Sequence, residues 1–307
     1  YYSGDATYLP ASSSAIIELV DANSVFSAIG LDYGTSQYSQ SVAVADFNGD
    51  GKADLVVASG SNTVDICLGN ANGLFRLSGS YTAGNYVAVG DFNGDGKPDL
   101  AVANFNMGTV SILLGNGDGT FQAPVPYSAG ATPRALVVAD FNGDGSADLA
   151  IANYNGFSIL LGNGDGTMQT AVQYASPGGN PESIVAADFN GDGIADLAVS
   201  RGTGAVNIAL GNGDGTFTAG VSYTFSTGGP GTLVAGDFNS DGKADLVVNL
   251  PGAGAIDVLL GNGNGTFQQL TTSPGSVSVI GDFNGDGILD LAAVSQTAGV
   301  LNILLGA

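Results

Sequence analysis

Histidine and tryptophan are absent from this 307-residue chain, cysteine occurs once, and six residues are basic. Without histidine, and with Glu18 and Glu182 as its only glutamates, the chain lacks the usual groups for general acid–base catalysis near neutral pH. Zinc chemistry lacks its Cys and His ligands for the same reason. The lone Cys67 excludes an intrachain disulfide, and its neighbours Ile66 and Leu68 mark it as a small buried hydrophobe. Lys52, Arg76, Lys97, Arg134, Arg201 and Lys243 are too few and scattered to hold a phosphate backbone, so nucleic acid is not an expected partner. No stretch approaches the ~18 apolar residues of a spanning helix, and membrane insertion is not expected. Tyr1-Tyr2-Ser3-Gly4 does not begin a charged-then-apolar signal peptide, so the chain reads as soluble and already processed or excised.

What is present is glycine, at 50 residues, with 44% hydrophobic and 11% charged residues. That is a turn-rich all-β composition, too hydrophobic for disorder. The organising stretch is Asp46-Phe47-Asn48-Gly49-Asp50-Gly51-Lys52-Ala53-Asp54-Leu55, with further copies from Asp91, Asp140, Asp188, Asp237 and Asp282. Side-chain oxygens fall at places one, three, five and nine of each copy. Calcium takes six to eight hard oxygen ligands at roughly 2.3–2.6 Å in a flexible shell, so alternate residues of a tight loop can wrap around it.

In the first copy Asp46, Asn48, Asp50 and Asp54 supply side chains and Lys52 a backbone carbonyl, with Gly51 taking the positive-φ turn. The next two sets are Asp91, Asn93, Asp95, Lys97, Asp99 and Asp140, Asn142, Asp144, Ser146, Asp148. The last three are Asp188, Asn190, Asp192, Ile194, Asp196; Asp237, Asn239, Asp241, Lys243, Asp245; and Asp282, Asn284, Asp286, Ile288, Asp290. A ligand acting through its carbonyl can carry any side chain, which accounts for Lys, Ser and Ile at the seventh place. An EF-hand needs Glu at the twelfth place and flanking helices; here the twelfth residue is Val57 and the flanks are strand-length apolar runs. Asn-Gly-Asp-Gly alone also makes a hairpin turn. Three Asp and one Asn at fixed offsets in six copies call for a cation, because a turn needs no such carboxylate density.

The net charge of −22 follows from those loops: 18 of the 28 acidic residues lie in them, so six Ca²⁺ would leave −22 + 12 = −10. Extracellular calcium modules bind at about 10⁻⁴–10⁻³ M, beyond what cytosolic calcium fills, which places the chain outside the cell or on its surface.

Successive loops begin 45, 49, 48, 49 and 45 residues apart. Periods of ~40–50 residues with several short strands per unit indicate a β-propeller of four-stranded antiparallel blades. In one unit, strands fall at Ala135–Ala139, Leu149–Ala152, Phe157–Leu161 and Met168–Tyr174, with the calcium loop between strands A and B. The C–D turn Leu-Gly-Asn-Gly-Asp-Gly-Thr recurs from Leu114, Leu161 and Leu210, and with Asn264 for Asp from Leu260; its few carboxylates read as an ordinary hairpin turn. The whole chain, 1–307, reads as one domain: six calcium-loop repeats over 41–307, and 1–40 as a degenerate or closing blade. Seven blades are favoured, with six as the alternative.

The run Asp-Phe-Asn-Gly-Asp-Gly-Lys-Ala-Asp-Leu, followed by a strand and Leu-Gly-Asn-Gly-Asp-Gly-Thr-Phe, resembles the FG-GAP/VCBS repeat of the integrin α-subunit head, fungal integrin-like lectins and bacterial surface proteins. The resemblance covers 41–307. It implies a propeller, often seven-bladed, with ions stiffening the loops on one face and adhesive contacts made elsewhere. Ser240, where other copies have Gly, and the motif-free first forty residues are its departures.

The expected function is recognition of glycans or of a cell-surface or extracellular protein. Contacts should come from residues that break the repeat on the metal-free face: Phe105, Arg134, Tyr154, Glu182 and Arg201. Tyr81, Tyr127, Tyr174 and Tyr223 recur at the repeat period and are expected to pack between blades. The alternatives are a spacer or filament subunit associating through open blade edges and, further off, a polysaccharide lyase or hydrolase; the chain is expected not to be an enzyme.

Overall fold

The computed structural model describes residues 38–306 except 155, 176–180, 226–228, 270–272, 275 and 296–299. Every regular element among them is a strand. Blade 1 comprises β1 (Ser39–Ala45), β2 (Asp54–Ser59), β3 (Thr63–Gly69) and β4 (Phe75–Thr82), and blade 2 comprises β5 (Tyr86–Gly90), β6 (Asp99–Asn104), β7 (Thr109–Leu113) and β8 (Val125–Ser128). Blade 3 holds β9 (Ala135–Ala139), β10 (Asp148–Asn153), β11 (Gly156–Leu160) and β12 (Val172–Ala175); blade 4 holds β13 (Pro181–Ala187), β14 (Asp196–Arg201), β15 (Ala205–Gly211) and β16 (Phe217–Thr224). Blade 5 contains β17 (Leu233–Gly236), β18 (Asp245–Leu250), β19 (Ala255–Gly261), β20 (Phe267–Gln269) and β21 (Ser273–Pro274). Blade 6 has β22 (Ser276–Gly281), β23 (Asp290–Ser295) and β24 (Val300–Leu304) among the described residues.

Within each sheet consecutive strands pair antiparallel, save that β21 pairs with β19 beyond β20, and the sheets stand in a ring as a six-bladed β-propeller. Among the described residues the count is six, the alternative the sequence offered beside the favoured seven. Each described sheet carries one acidic loop between its first two strands, so the loop count is the blade count. The degenerate blade expected of residues 1–40 falls almost wholly on 1–37, which lie outside the described residues.

The core is divided into layers between neighbouring blades, and the second strand of each blade shows why. In β10, Leu149 and Ile151 pack towards blade 2 while Ala150 and Ala152 pack towards blade 4, and all four are fully buried. A strand buried on both faces reads as a continuous apolar run. Large residues on one face and alanines on the other leave room for a plug from the loop. That plug is the phenylalanine at the loop's second place. Phe47, Phe141 and Phe189 meet Phe121, Phe217 and Phe267 of the next blade edge to face, at 5.5, 5.5 and 5.3 Å between centroids. Each fully buried aromatic ring contributes roughly 1.5–3 kcal/mol through burial.

The recurring tyrosines add a polar link. Tyr81, Tyr174 and Tyr223 accept the backbone N–H of Phe121, Phe217 and Phe267 across the blade boundary, at 2.8, 3.3 and 2.7 Å. Tyr127 packs in the layer between blades 2 and 3, where Met168 stands in place of the phenylalanine. Blade 1 is exceptional on the face turned away from blade 2, where Val42 and Val44 are 60% and 55% exposed.

Candidate functional site

The acidic loops all sit at one end of the blades, and in all six the N–H groups of places five, six and seven make the same hydrogen bonds. In the third loop Asp140 Oδ1 accepts the N–H of Gly143 and Asp144 (2.7 and 3.2 Å), and its Oδ2 accepts that of Gly145 (2.9 Å). Asn142 Oδ1 accepts Asp144 N–H at 3.0 Å, and Asp144 Oδ1 accepts Ser146 N–H at 2.7 Å. Successive side chains thus catch the backbone two to five residues ahead, the behaviour that makes Asp and Asn turn formers. Turning the chain so sharply needs left-handed backbone, as at Gly143 and Gly145 (φ 73° and 83°).

In the fifth loop Ser240 adopts the same conformation, with φ 58°. A residue with a Cβ costs roughly 1–2 kcal/mol there. Ser240→Gly is therefore expected to raise stability by about 1 kcal/mol, read from the urea unfolding midpoint at unchanged m-value.

The ninth-place aspartates behave differently from the rest. Asp54, Asp99, Asp148, Asp196, Asp245 and Asp290 are all 0% exposed. Asp148 Oδ2 accepts the N–H of Phe141 at 2.9 Å and its Oδ1 that of Gly162 at 2.7 Å, so one carboxylate ties the A–B loop to the start of the C–D turn. The other five repeat both bonds. Gly162 is required by close approach: a Cβ there would stand 2.3 Å from the carbonyl oxygen of Ala147. Burial pushes the Asp148 carboxyl above its ordinary pKa; the two N–H groups pull it back, and the charges of Asp144 and Asp140 push it up again. Sequence reasoning assigned these aspartates to metal alone and missed the staple. The signal was there: each is followed 14 to 16 residues later by the glycine it binds.

The fifth-place carboxylate is held in two ways. Lys52, Lys97 and Lys243 pair with Asp50, Asp95 and Asp241 at 2.8, 3.2 and 3.1 Å. In the loops with Ser or Ile at the seventh place, the amides of Asn142, Asn190 and Asn284 donate to Asp144, Asp192 and Asp286, each at 2.8 Å. The Lys52 ammonium, bonded to the carboxylate, holds Asp50 below its ordinary pKa. The donor set of a loop, all carboxylate, amide and carbonyl oxygen, fits a hard divalent cation. As the side chains stand, no three carboxylates among the described residues converge closely enough to hold an ion.

The C–D turns are self-sufficient. Asp118 Oδ1 accepts both the N–H and the hydroxyl of Thr120 (2.9 and 2.6 Å), and Asp165, Asp214 and Asn264 repeat this with Thr167, Thr216 and Thr266. Each turn also docks on the preceding blade: Gly119, Gly166, Gly215 and Gly265 donate to the carbonyls of Phe47, Phe92, Phe141 and Phe189 at 2.8–3.0 Å. The acidic loop and the neighbouring turn are thus one continuous rim.

The opposite face carries a cleft of about 370 Å³ at the meeting of blades 1, 2 and 3, lined by Gln40, Gly60, Asn85, Tyr86, Phe105, Asn106 and Arg134. Arg134 lies over the Phe105 ring, its Cζ 5.1 Å from the centroid. The structure therefore joins two of the five expected contact residues. Tyr154 (51% exposed) and Glu182 are also at the surface but do not line this cleft. Arg201 is a correction: it is 2% exposed. It ends β14 at the register of Asn104, Asn153 and Leu250, which all point inward, and its Nε and Nη2 lie 2.7 and 3.2 Å from the Asn207 amide.

Five consecutive stretches of the sequence match the FG-GAP-like repeat, over residues 46–102, 91–151, 140–199, 196–248 and 237–293. No match is found among curated proteins. Among solved structures the chain is similar to an Agrocybe aegerita lectin described for specific recognition of non-reducing terminal N-acetylglucosamine. The two are 22% identical with a TM-score of 0.54, over 78% of this chain and 66% of the lectin, so the chain spans just under two thirds of the lectin's length. It is also similar to a Lactobacillus plantarum protein, 12% identical with a TM-score of 0.63, over 87% of this chain and 83% of the other. At these identities the likeness is one of fold.

Proposed function

The chain belongs to the FG-GAP-like repeat family, and on that premise we propose that it is an extracellular calcium-binding recognition module, a binding protein and not an enzyme, whose ligands are glycans or proteins. The observation that carries this reading is the division of labour between the two faces. One end repeats the same acidic loop six times with little variation; the other departs from the repeat at Phe105 and Arg134, and those departures meet in a cleft. Repetition serves a structural need common to all blades, whereas a specific ligand needs a place where the blades differ. The lectin among the structural neighbours supports a sugar ligand for this fold, though a fold does not fix its ligand.

In each loop an ion would be held by the oxygens at places one, three, five and nine and the seventh carbonyl. Its double charge would offset the mutual repulsion of three carboxylates. In the third loop Asp140 Oδ1 accepts two N–H groups, whereas its Oδ2 and the engaged oxygens of Asn142, Asp144 and Asp148 accept one hydrogen bond each and keep a second lone pair. Turning places one, three and five inward would complete the shell around a ninth-place group already fixed.

The test is an array of neutral and acidic glycans and extracellular matrix proteins, probed in about 2 mM calcium, above the range of such sites, and in chelator. Saturable binding that Phe105→Ala weakens at least ~10-fold is expected, since loss of an aromatic anchor costs roughly 2 kcal/mol. No saturable binding to any member would overturn the reading.

A second reading, a spacer or assembling subunit, rests on two features. The edge of β24 has no partner strand among the described residues, and Val42 and Val44 are exposed on the back of blade 1. Such edges and patches accept added strands or copies.

A further inference from the structure

We infer that the cleft between blades 1, 2 and 3 takes a carboxylate-bearing sugar, with Arg134 as the group that recognises the carboxylate. The inference rests on the recognition reading above and deepens it by naming the class of ligand.

Arg134 is the cation this site can offer. The three lysines are committed to loop aspartates at the other end of the blades, Arg76 stands at that same end at the start of β4, and Arg201 is buried against Asn207. Among the described residues Arg134 forms no ion pair, and its guanidinium lies over the Phe105 ring instead. Stacking on an aromatic face fixes the plane of the guanidinium and leaves its N–H edge free, the geometry that pairs bidentately with a carboxylate.

The platform under it is itself fixed. Phe105 N–H donates to Asn85 Oδ1 at 3.1 Å, and Asn85, 4% exposed, donates in turn to Ser59 O at 2.9 Å. Arg134 N–H is held by Ala152 O at 3.0 Å. The fork is therefore built into the ends of three blades.

What surrounds the fork favours a sugar over an acidic peptide. The side-chain amides of Gln40 and Asn106 and the Tyr86 hydroxyl line the same cleft, which supplies both donors and acceptors for ring hydroxyls. The lining offers no apolar pocket for a peptide side chain. At about 370 Å³ the cleft lies at the small end of ligand sites, roughly 300–1,000 Å³, and fits one or two sugar rings better than a chain segment.

The strongly acidic character of the protein does not oppose this. The loop carboxylates lie a strand length away, roughly 20 Å at ~3.3 Å per residue, or more than two screening lengths of ~8 Å at physiological salt.

The experiment is calorimetric titration of the full chain in calcium with galacturonate, glucuronate and sialyl oligosaccharides, each beside its methyl ester, and with a hexa-aspartate peptide. Ester and acid differ only at the carboxyl group, where the ester replaces the charge with a methyl cap. At least one acid should bind ~10-fold or more tighter than its ester, as a charge-assisted pair warrants. Arg134→Gln should erase that preference without moving the melting temperature. Arg134→Lys, which keeps the charge and loses the fork, should retain part of it. Acid and ester binding alike, or an unchanged preference in Arg134→Gln, overturns the inference while leaving the recognition reading in place. The peptide binding tighter than every sugar overturns it in favour of an acidic protein partner. Binding of none of these sugars, when the array has yielded a ligand, overturns the inference alone; an empty array removes both.

Discussion

Chelating calcium is expected to lower the folding stability of this protein by about 8 kcal/mol. At ~1 mM free ion and a dissociation constant near 0.1 mM, each site contributes RT ln 11, about 1.4 kcal/mol, and the six loops act on one folded unit. Typical domains have only about 5–15 kcal/mol in total. The melting temperature should therefore drop by roughly 15–25 °C, taking ~2–3 °C per kcal/mol for a chain of this size. Scanning calorimetry in calcium and in chelator reads this directly. A drop of less than ~2 °C would mean that the hydrogen bonds within each loop are sufficient without an ion, and that the carboxylate density has another cause.

Asp148→Ala is expected to cost about 2–6 kcal/mol even in chelator. Its two oxygens satisfy the N–H groups of Phe141 and Gly162 at 2.9 and 2.7 Å, where the carboxylate itself is 0% exposed. Each buried donor left without a partner costs roughly 1–3 kcal/mol. Asp148→Asn keeps the shape but offers one acceptor oxygen, so it should lose about half as much. Asp140→Ala makes the informative contrast. Its bonds are to exposed loop N–H groups that water can take over, so in chelator it should cost under about 1 kcal/mol, rising when calcium is present. Chemical denaturation of the variants under both conditions separates staple from ligand. Equal losses for Asp140→Ala and Asp148→Ala in chelator would contradict the separate roles.

Most of the architecture was legible because propeller repeats restate the same physical problem. Asp148 through Asn153 must be buried on both faces, so Leu-Ala-Ile-Ala reads as a core strand with no need to know what covers it. The expected strand at Ala135–Ala139 coincides with β9, because turn chemistry on both sides leaves it no other register.

The illegible parts are those where one residue type serves two ends. An aspartate at the ninth place looks the same whether it ligates an ion or caps two N–H groups; the glycine 14 to 16 residues on recurs with it, but its meaning as the second N–H donor emerges only when the fold brings Gly162 against Asp148. Arg201 carried a similar ambiguity: a lone arginine after an apolar strand reads as a surface charge. The register of β14 turns it inward onto Asn207. Phe105 and Arg134 are 29 positions apart, in successive blades, and nothing in a linear sequence says that their loops meet.

The most direct measurement is the number of calcium ions bound per chain, by calorimetric titration of chelator-stripped protein. The account predicts about six, with Asp140→Ala reducing the number by one while the other sites persist. No saturable uptake up to several millimolar calcium, by a protein that is folded throughout, would contradict it.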